Sequence, residues 1–324
     1  MRELLPYFES ELSNLRGSAK AFSAAYPKIA SRLQLGADVA EDPHIERLIQ
    51  SFALLAARVH KRLDDDFPLF TESLLEVLYP HYLRPFPSCS IVQFDVSGVA
   101  GQLSAPSLVE RGTQLTTSPV RGVVCKFRTA YDLALTPIQI TSVSFRNAVG
   151  APEGTRLPSN ASSVLAVTLE LISSQANWVS MGKTLRVYLD GEPSQVAVLR
   201  DALCRHVVAV MAQTSRTSHW SGPYAERPQL VGFANNEALI DYDERSHPAY
   251  RLLTEYFAFS DKFNFLDLPL PQKLISGINS RTLTLNFVLS GLRSDSDDAR
   301  LLETITARNF ALHCTPVVNL FQQN

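Results

Sequence analysis

The sequence is poor in the residues that mark several common protein classes. Its 324 residues include 4 cysteines (Cys89, Cys125, Cys204 and Cys314), and no two of them form a C-x-x-C pair. Widely separated cysteines argue against a disulfide scaffold or a structural zinc site and favour isolated reduced thiols. No apolar run approaches the roughly 20 residues that a membrane-spanning helix needs, and the N-terminus is too acidic for a signal peptide. We therefore expect a cytoplasmic protein with no direct membrane insertion.

A surplus of basic residues is also missing. The chain carries 30 Lys and Arg against 32 Asp and Glu, a formal net charge of −2, and the basic residues are scattered. Nucleic-acid-binding proteins usually show a basic patch, because contacts with phosphate dominate their affinity. We expect no nucleic-acid partner. With 45% hydrophobic and 19% charged residues, the composition is that of a folded chain long enough for more than one core.

The common sequence motifs of enzymes are absent as well. The chain has no Walker phosphate-binding loop, no glycine-rich dinucleotide motif, no H-E-x-x-H zinc motif and no G-x-S-x-G nucleophile motif. His44 and His60 lie on one predicted helix but are 16 residues apart, which is too far to bind one metal ion. Asp64, Asp65 and Asp66 lack the surrounding pattern of a calcium-binding loop. We predict no enzymatic activity, no cofactor and no metal site.

What the N-terminal part does contain is two apolar seams with helical spacing. Large apolar side chains recur at steps of three and four residues between residues 5 and 26, and again between residues 45 and 59. This alternation is typical of helices that pack along a coiled-coil-like seam. The residues that we predict to form a partner interface are Leu5, Phe8, Leu12, Leu15, Phe22, Tyr26, Ile45, Leu48, Phe52, Leu55 and Val59.

The second seam has a clear start and an expected end. Asp42 precedes Pro43, which is the pattern of an N-cap followed by proline at the first helical position. Pro68 predicts that this helix ends near Asp66 and that a separate helix starts at Leu69. The seams either pair with each other inside the chain or enter a bundle with helices of other chains. Burial of each large apolar side chain is worth roughly 1.5–3 kcal/mol, so we expect the seams to be covered in the working state.

From about residue 90 the apolar period changes to the two-residue alternation of strands. The clearest runs are 165–171, 185–189 and 283–289, and between Ile140 and Val143 the alternation slips by one residue, which predicts a bulge or a break. The predicted fold class is α+β, with an N-terminal long-helix hairpin followed by mainly antiparallel β-sheet and a few short helices. The predicted domains are a helical domain (1–88), a β-sandwich or barrel-like domain (89–213) and a second, incomplete α/β portion (214–324).

Several ordered runs resemble a known family. Between Asp42 and Ser88 they read D-P-x-x-E-R-L, F-A, L-A-A-R-V, L-D-D, F-P, L-L and L-Y-P-H-Y-L-R-P, and later runs are H-P-A-Y-R-L-L and C-T-P-V-V-N-L-F. In this order they resemble the TssF family (also called VasA or ImpG), baseplate subunits of the bacterial type VI secretion system. The resemblance covers nearly the whole chain. Family members continue beyond the N-L-F run that closes this sequence.

The resemblance implies a structural subunit of a baseplate wedge that supports sheath assembly and triggers contraction. It implies two TssF copies with one TssG, contacts with TssK and TssE, and positions near the VgrG spike, the Hcp tube and the TssB–TssC sheath. It also places the N-terminal helices in a bundle with TssG. The alternatives are a homologous wedge protein of a contractile phage tail or phage-derived injection device, and a ligand-binding β-module with a helical appendage.

Overall fold

The computed structural model describes residues 3–33, 42–214, 219–242 and 246–320. The chain divides into two compact units, Met1–Arg84 and Pro85–Asn324. The first unit is helical and the second contains the β-strands with a few short helices. The predicted α+β class is therefore confirmed.

The described residues of the first unit form the α-helices α1 (Leu5–Ala25), α2 (Pro27–Arg32) and α3 (Pro43–Leu78). Each of them has a proline in its first two positions, where the missing backbone N–H leaves no hydrogen bond unmade. The Asp42 carboxylate accepts a hydrogen bond from the backbone N–H of His44 at 2.8 Å, which confirms the predicted N-cap of α3. A 3₁₀ turn, Pro80–Leu83, follows α3.

Helix α3 does not end at Asp66. It continues through Pro68 for a total of 36 residues, so the predicted break and the separate second helix are wrong. A proline inside a helix costs about 3 kcal/mol, and the ion pairs in the turns before it offset only about 0.2–0.5 kcal/mol each. Lys61 donates to Asp65 at 2.6 Å, and the Arg62 guanidinium lies 3.4 Å from the Asp66 carboxylate. At about 1.5 Å per residue, α3 is a continuous helix about 54 Å long.

The second unit is built mainly from antiparallel strands. In chain order the strands are β1 (Cys89–Gln93), β2 (Ser107–Val109), β3 (Gln114–Thr116), β4 (Lys126–Thr129), β5 (Leu133–Leu135), β6 (Ile138–Arg146), β7 (Ser163–Leu171), β8 (Thr184–Leu189), β9 (Val207–Thr214), β10 (Ser221–Tyr224), β11 (Gln229–Leu230), β12 (Phe265–Pro269), β13 (Thr282–Leu289), β14 (Phe310–Ala311) and β15 (Cys314–Val318). The α-helices among them are α4 (Pro193–Arg205), α5 (Pro248–Ala258), α6 (Gln272–Ile275) and α7 (Asp297–Glu303).

Among the described residues, the largest sheet has the strand order β10-β9-β13-β7-β6. Two smaller sheets have the orders β1-β15-β4-β3 and β11-β12-β8-β14, and β2 pairs with β5. The boundary predicted near residue 213 does not separate two units, because β13 pairs with both β7 and β9, and β15 pairs with β1. Segments 89–213 and 214–324 therefore share their sheets.

The main core lies on one face of the largest sheet. The alternating residues Leu283, Leu285 and Phe287 of β13 are completely buried there, and α4 packs against them through Leu199 and Leu203. The register of β6 against β7 shifts between Ile140 and Ser142, which confirms the bulge predicted in this strand. The strand alternation visible in the sequence therefore separates the two faces of the sheet, and the face opposite the main core is also covered near Val164 and Val288, which are completely buried in a second apolar cluster.

A candidate protein interface on the N-terminal helices

Helices α1 and α3 pack side by side and run in opposite directions. Just before α1, the Glu3 carboxylate lies 3.9 Å from the Lys61 ammonium group. Further along α1, the Arg16 guanidinium donates to the Glu46 carboxylate at 2.7 Å. The two contacts show that α1 and α3 are antiparallel. Partly exposed ion pairs of this kind contribute about 1 kcal/mol or less each, so they set the alignment of the helices more than their stability.

Tyr7 forms another contact between the two helices. Its ring stands edge-on to the imidazole ring of His60, with the centroids 5.4 Å apart. Its hydroxyl group is hydrogen-bonded to the Asp64 carboxylate, and this bond raises the pKa of Tyr7 above its ordinary value. Asp64, which the sequence analysis placed at a helix end, is therefore part of the α1–α3 contact.

The side of α3 that faces α1 carries small side chains. Ala53 and Ala57, one turn apart, are completely buried. They lie in the same helical row as Glu46, His60 and Asp64, whose contacts with α1 define this face. Because alanine is small, the two helices can approach closely along this row. The large apolar side chains of α3 consequently point elsewhere.

Another side of α3 presents large apolar side chains to solvent. Leu48, Phe52, Leu55 and Val59 each expose between 59% and 70% of their surface. The row continues past the predicted helix end with the same spacing, through exposed residues Leu63, Phe67, Phe70, Leu74 and Val77. We call these two sets together the α3 stripe. Single exposed apolar residues are ordinary, whereas a contiguous row of this length marks an interaction surface.

The residues predicted as an interface fall into two groups. Those that are half-buried are Phe8, Leu12, Leu15 and Ile45. Those that are exposed are Leu5, Phe22, Tyr26, Leu48, Phe52, Leu55 and Val59. The sequence did not predict the part of the α3 stripe beyond Asp66, because Pro68 indicated a helix end there. The apolar spacing, which continues unbroken past Pro68, was the signal that could have revealed it.

The described residues form no metal-binding cluster, and three of their cysteine thiols have raised pKa values. Within the described ranges, no three His, Cys, Asp or Glu side chains form a group that could hold a metal ion. Burial raises the pKa of Cys89 and Cys204 to about 11 and that of Cys314 to about 12. These thiols stay protonated at neutral pH and are poor nucleophiles. In the same ranges, no helix combines the length and apolar character needed to cross a membrane.

Charged side chains do converge in the second unit, where they are buried. The Glu255 carboxylate of α5 accepts hydrogen bonds from the Arg251 guanidinium at 3.1 Å and from the Lys262 ammonium group. All three side chains are almost completely buried. Glu255 also accepts a hydrogen bond from the backbone N–H of Leu239 at 2.8 Å. We call this cluster of Arg251, Glu255 and Lys262 the ionic brace, because its groups bind one another and the backbone.

The ionic brace also holds the loop 231–240. The Lys262 ammonium group donates to the Glu237 carbonyl oxygen at 2.8 Å, and the Glu237 carboxylate accepts from the Gly232 backbone N–H at 2.7 Å. Gly232 has a φ of +106°, and a Cβ there would lie 3.1 Å from both the Lys262 carbonyl oxygen and the Tyr131 hydroxyl. Only glycine fits this close approach. The cluster is therefore a structural element that fixes a loop and a helix.

With the geometry established, comparison with known proteins identifies the family. A family model described as "Type VI secretion system, TssF" matches residues 1–324. The chain belongs to the TssF family. It is 32% identical over 323 residues to the type VI secretion system component TssF1 of Pseudomonas aeruginosa. The aligned region covers 98% of this chain and 51% of that protein. The chain therefore spans about half the length of this TssF relative.

A solved structure is similar in fold as well. A chain of the type VI secretion system TssK-TssF-TssG baseplate subcomplex, determined by cryo-electron microscopy, matches with a TM-score of 0.65 and 27% identity. The match covers 85% of this chain and 49% of that chain. The TssF resemblance inferred from the residue runs is thereby confirmed.

Proposed function

We propose that this chain acts as a structural subunit of the type VI secretion baseplate wedge. Two copies assemble with one TssG, together with TssK and TssE, around the VgrG spike and Hcp tube and beneath the TssB–TssC sheath. The subunit supports sheath assembly and takes part in triggering contraction. Membership of the TssF family and the similarity to a TssK-TssF-TssG baseplate subcomplex support this proposal.

The single observation that carries the proposal is the exposed α3 stripe. It runs along a helix of 36 residues, with the three-and-four spacing by which one helix packs into another. Each of its large side chains gains roughly 1.5–3 kcal/mol when fully buried, so a partner that covers the whole stripe gains a large driving force. We assign the stripe to a helical bundle with TssG, in which the partner supplies the facing helix.

The packing of α1 on α3 fits this role. Because Ala53 and Ala57 let the two helices approach closely, the stripe is presented on a paired helical support rather than on an isolated helix. A surface that is ordered before binding loses less conformational entropy when the partner docks. The work of this subunit is then mechanical: it holds its neighbours through apolar contacts that repack when the baseplate changes state.

Two adjacent leucines of α3 provide a matched test. Leu55 lies on the stripe, whereas Leu54 lies on another side of α3 beside Leu5 and Phe8 of α1. We expect the wild-type chain, co-expressed with TssG, to purify as a complex with the mass of two TssF copies and one TssG. Leu55→Asp should weaken TssG binding at least thirtyfold, which corresponds to roughly 2 kcal/mol, and Leu54→Asp should retain most of it.

Thermal unfolding of both variants checks that neither loses its fold. Folded Leu55→Asp protein that purifies with TssG in wild-type amounts would show that the stripe is not the TssG interface. If the wild-type chain stayed monomeric in the presence of TssG, the proposed role as a wedge subunit would be wrong.

A further inference from the structure

Helix α3 is supported unevenly along its length. Its first part packs on α1 through Ala53 and Ala57, which are completely buried. In the described range 62–78, by contrast, no side chain is buried, and the side chains on both sides of Pro68 are exposed. The turn that contains Pro68 is therefore not held in place by packing.

The backbone of α3 is also weakened at this point. Pro68 has no N–H, so it donates no hydrogen bond to the Asp64 carbonyl oxygen one turn earlier. The Thr71 hydroxyl donates to the Pro68 carbonyl oxygen at 2.9 Å. The Ser73 hydroxyl donates to the Leu69 carbonyl oxygen at 2.7 Å. Hydroxyl groups that bond back to the helix in this way compete with backbone N–H groups and often bend helices. All of these features favour bending between Asp64 and Ser73.

Among the described residues, no ion pair connects the turns before and after the proline. The ion pairs that support the preceding turns end at Asp65 and Asp66. One turn further on, residues 68–70 are apolar, so they cannot extend the series. The charged residues of α3 beyond them, Glu72 and Glu76, are negative like the aspartates. Ion pairs therefore stiffen α3 before the proline and not across it.

The segment beyond the proline is a short helix with a fixed far end. The backbone N–H of Tyr79 donates to the Leu75 carbonyl oxygen at 2.6 Å, and Tyr79 is buried. Residues 69–78 thus adjoin a weak turn on one side and a buried residue on the other. Bending then concentrates at the weak turn, as it does in hinges that absorb a change of backbone angles within a few residues.

We propose that Pro68 is a hinge in α3. Residues 43–66 stay on α1, while residues 69–78 swing as a rigid helix between the continuous form of this structure and a bent form. The α3 stripe runs across the hinge, from Leu48 to Val77, so bending divides it into two shorter surfaces that point in different directions. A partner that binds the stripe on both sides of Pro68 selects the continuous form. The hinge itself is a property of the free chain and does not depend on which protein covers the stripe.

Distances between two spin labels in the free 324-residue chain test the hinge. A genetically encoded keto amino acid at the exposed positions of Ser51 and Val77 carries the labels and leaves the native cysteines unchanged. About 39 Å of continuous helix separates these positions, a distance that double electron–electron resonance measures. We expect the wild-type chain to show a second population at a shorter distance. Pro68→Ala restores the missing N–H and should reduce that population at least about fivefold.

A label pair within the first part of α3, at His44 and Arg62, is the control. It should give the same narrow distribution of distances with and without Pro68→Ala, because no hinge lies between its labels. If the wild-type distribution between positions 51 and 77 is as narrow as that of Pro68→Ala, α3 is rigid and has no hinge. If Pro68→Ala keeps the shorter population, the proline does not cause the bend and the proposal fails.

Amide hydrogen exchange separates bending from local unfolding. If residues 69–78 move as a rigid helix, the amides of residues 72–78 should exchange at least about tenfold more slowly than those of an unfolded chain. Exchange at the unfolded rate would show that the segment melts instead of swinging, which would overturn the hinge. Both measurements are made without TssG, so their outcome is independent of the interface proposed for the α3 stripe.

Discussion

Helices α3 and α5 are both amphipathic, but they place their side chains in opposite ways relative to ordinary surface helices. Helix α3 buries alanines against α1 and exposes its leucines and phenylalanines. Helix α5 buries an arginine and a glutamate against Lys262 and exposes a tyrosine and a phenylalanine. In both cases the neighbouring element determines which side chains are buried. Helix α3 is approached closely by α1, and α5 packs against the buried ammonium group of Lys262.

The comparison shows that hydrophobicity alone does not decide which side of a helix is buried. A small side chain is favoured inside where two backbones approach closely, and a charged one is tolerated inside where it has a counter-ion. Large apolar residues displaced by either requirement remain on the surface. Such displaced residues are then available for contacts with other chains, which is the basis of the interface proposed on α3.

The largest expected effect comes from removing the central anion of the ionic brace. Glu255→Ala leaves Arg251 and Lys262 buried without their shared counter-ion, and it also removes the acceptor for the Leu239 backbone N–H. We expect a loss of about 3–5 kcal/mol in the free energy of unfolding, measured by urea denaturation. A loss below 1 kcal/mol would mean that the charges find other partners.

The control for this prediction replaces the whole cluster. In the triple variant Arg251→Met, Glu255→Leu and Lys262→Met, no unpaired charge is left behind, and the apolar volume is largely kept. Part of the lost stability should return, because buried ion pairs often add little over apolar residues of similar size. If the triple variant is less stable than Glu255→Ala, the buried charges themselves are stabilising.

A smaller effect is expected where α3 meets α1. Ala57→Leu adds bulk to a completely buried position in the close contact of the two helices. We expect a loss of about 1–3 kcal/mol from overpacking, again measured by urea denaturation. Val59→Leu, two residues along on the exposed stripe, is the matched control and should change stability by less than about 0.5 kcal/mol. Equal effects at both positions would contradict the assignment of the two faces.

The smallest expected effect concerns a buried group that is kept neutral rather than paired. His313 is buried, and its Nε2 accepts a hydrogen bond from the Thr136 backbone N–H at 3.2 Å. Burial lowers the pKa of His313 below its ordinary value of about 6.5. Below that pH the His313 imidazole of the unfolded chain binds a proton, whereas the buried imidazole of the folded chain stays neutral until the pH is lower. The free energy of unfolding should therefore fall with pH from about 6.5 downward, by at most about 1.4 kcal/mol per pH unit.

The variant His313→Asn isolates this contribution. Asparagine tolerates the left-handed backbone of this position, where φ is 61°, and it does not titrate. The difference between the urea stabilities at pH 7 and pH 5.5 should be smaller in the variant than in the wild-type chain. Identical differences in the two proteins would show that His313 takes no part in the acid sensitivity.

Much of the fold was visible in the sequence because local rules and tertiary structure agree there. The alternation in β7, β8 and β13, the slip near Ile140 and the Asp42 cap all follow from local patterns, and all are found in the structure. The helix end at Asp66 was predicted wrongly, because Pro68 is a strong local signal that the surrounding helix overrides. Strand order could not be predicted, because β13 finds β7 and β9 far away in sequence.

For the candidate interface, too, some features could be predicted from the sequence and others were decided only by the tertiary structure. The sequence by itself determined that α1 and α3 carry apolar seams and that the family is TssF, since spacing and residue runs are properties of the chain order. Only the tertiary structure decided that Ala53 and Ala57 face α1 while Leu55 and Phe52 face outward, and that α5 buries its charges. The physical reason is that a periodic pattern shows which residues share a face. What that face meets depends on close packing and charge pairing with residues that are distant in the chain.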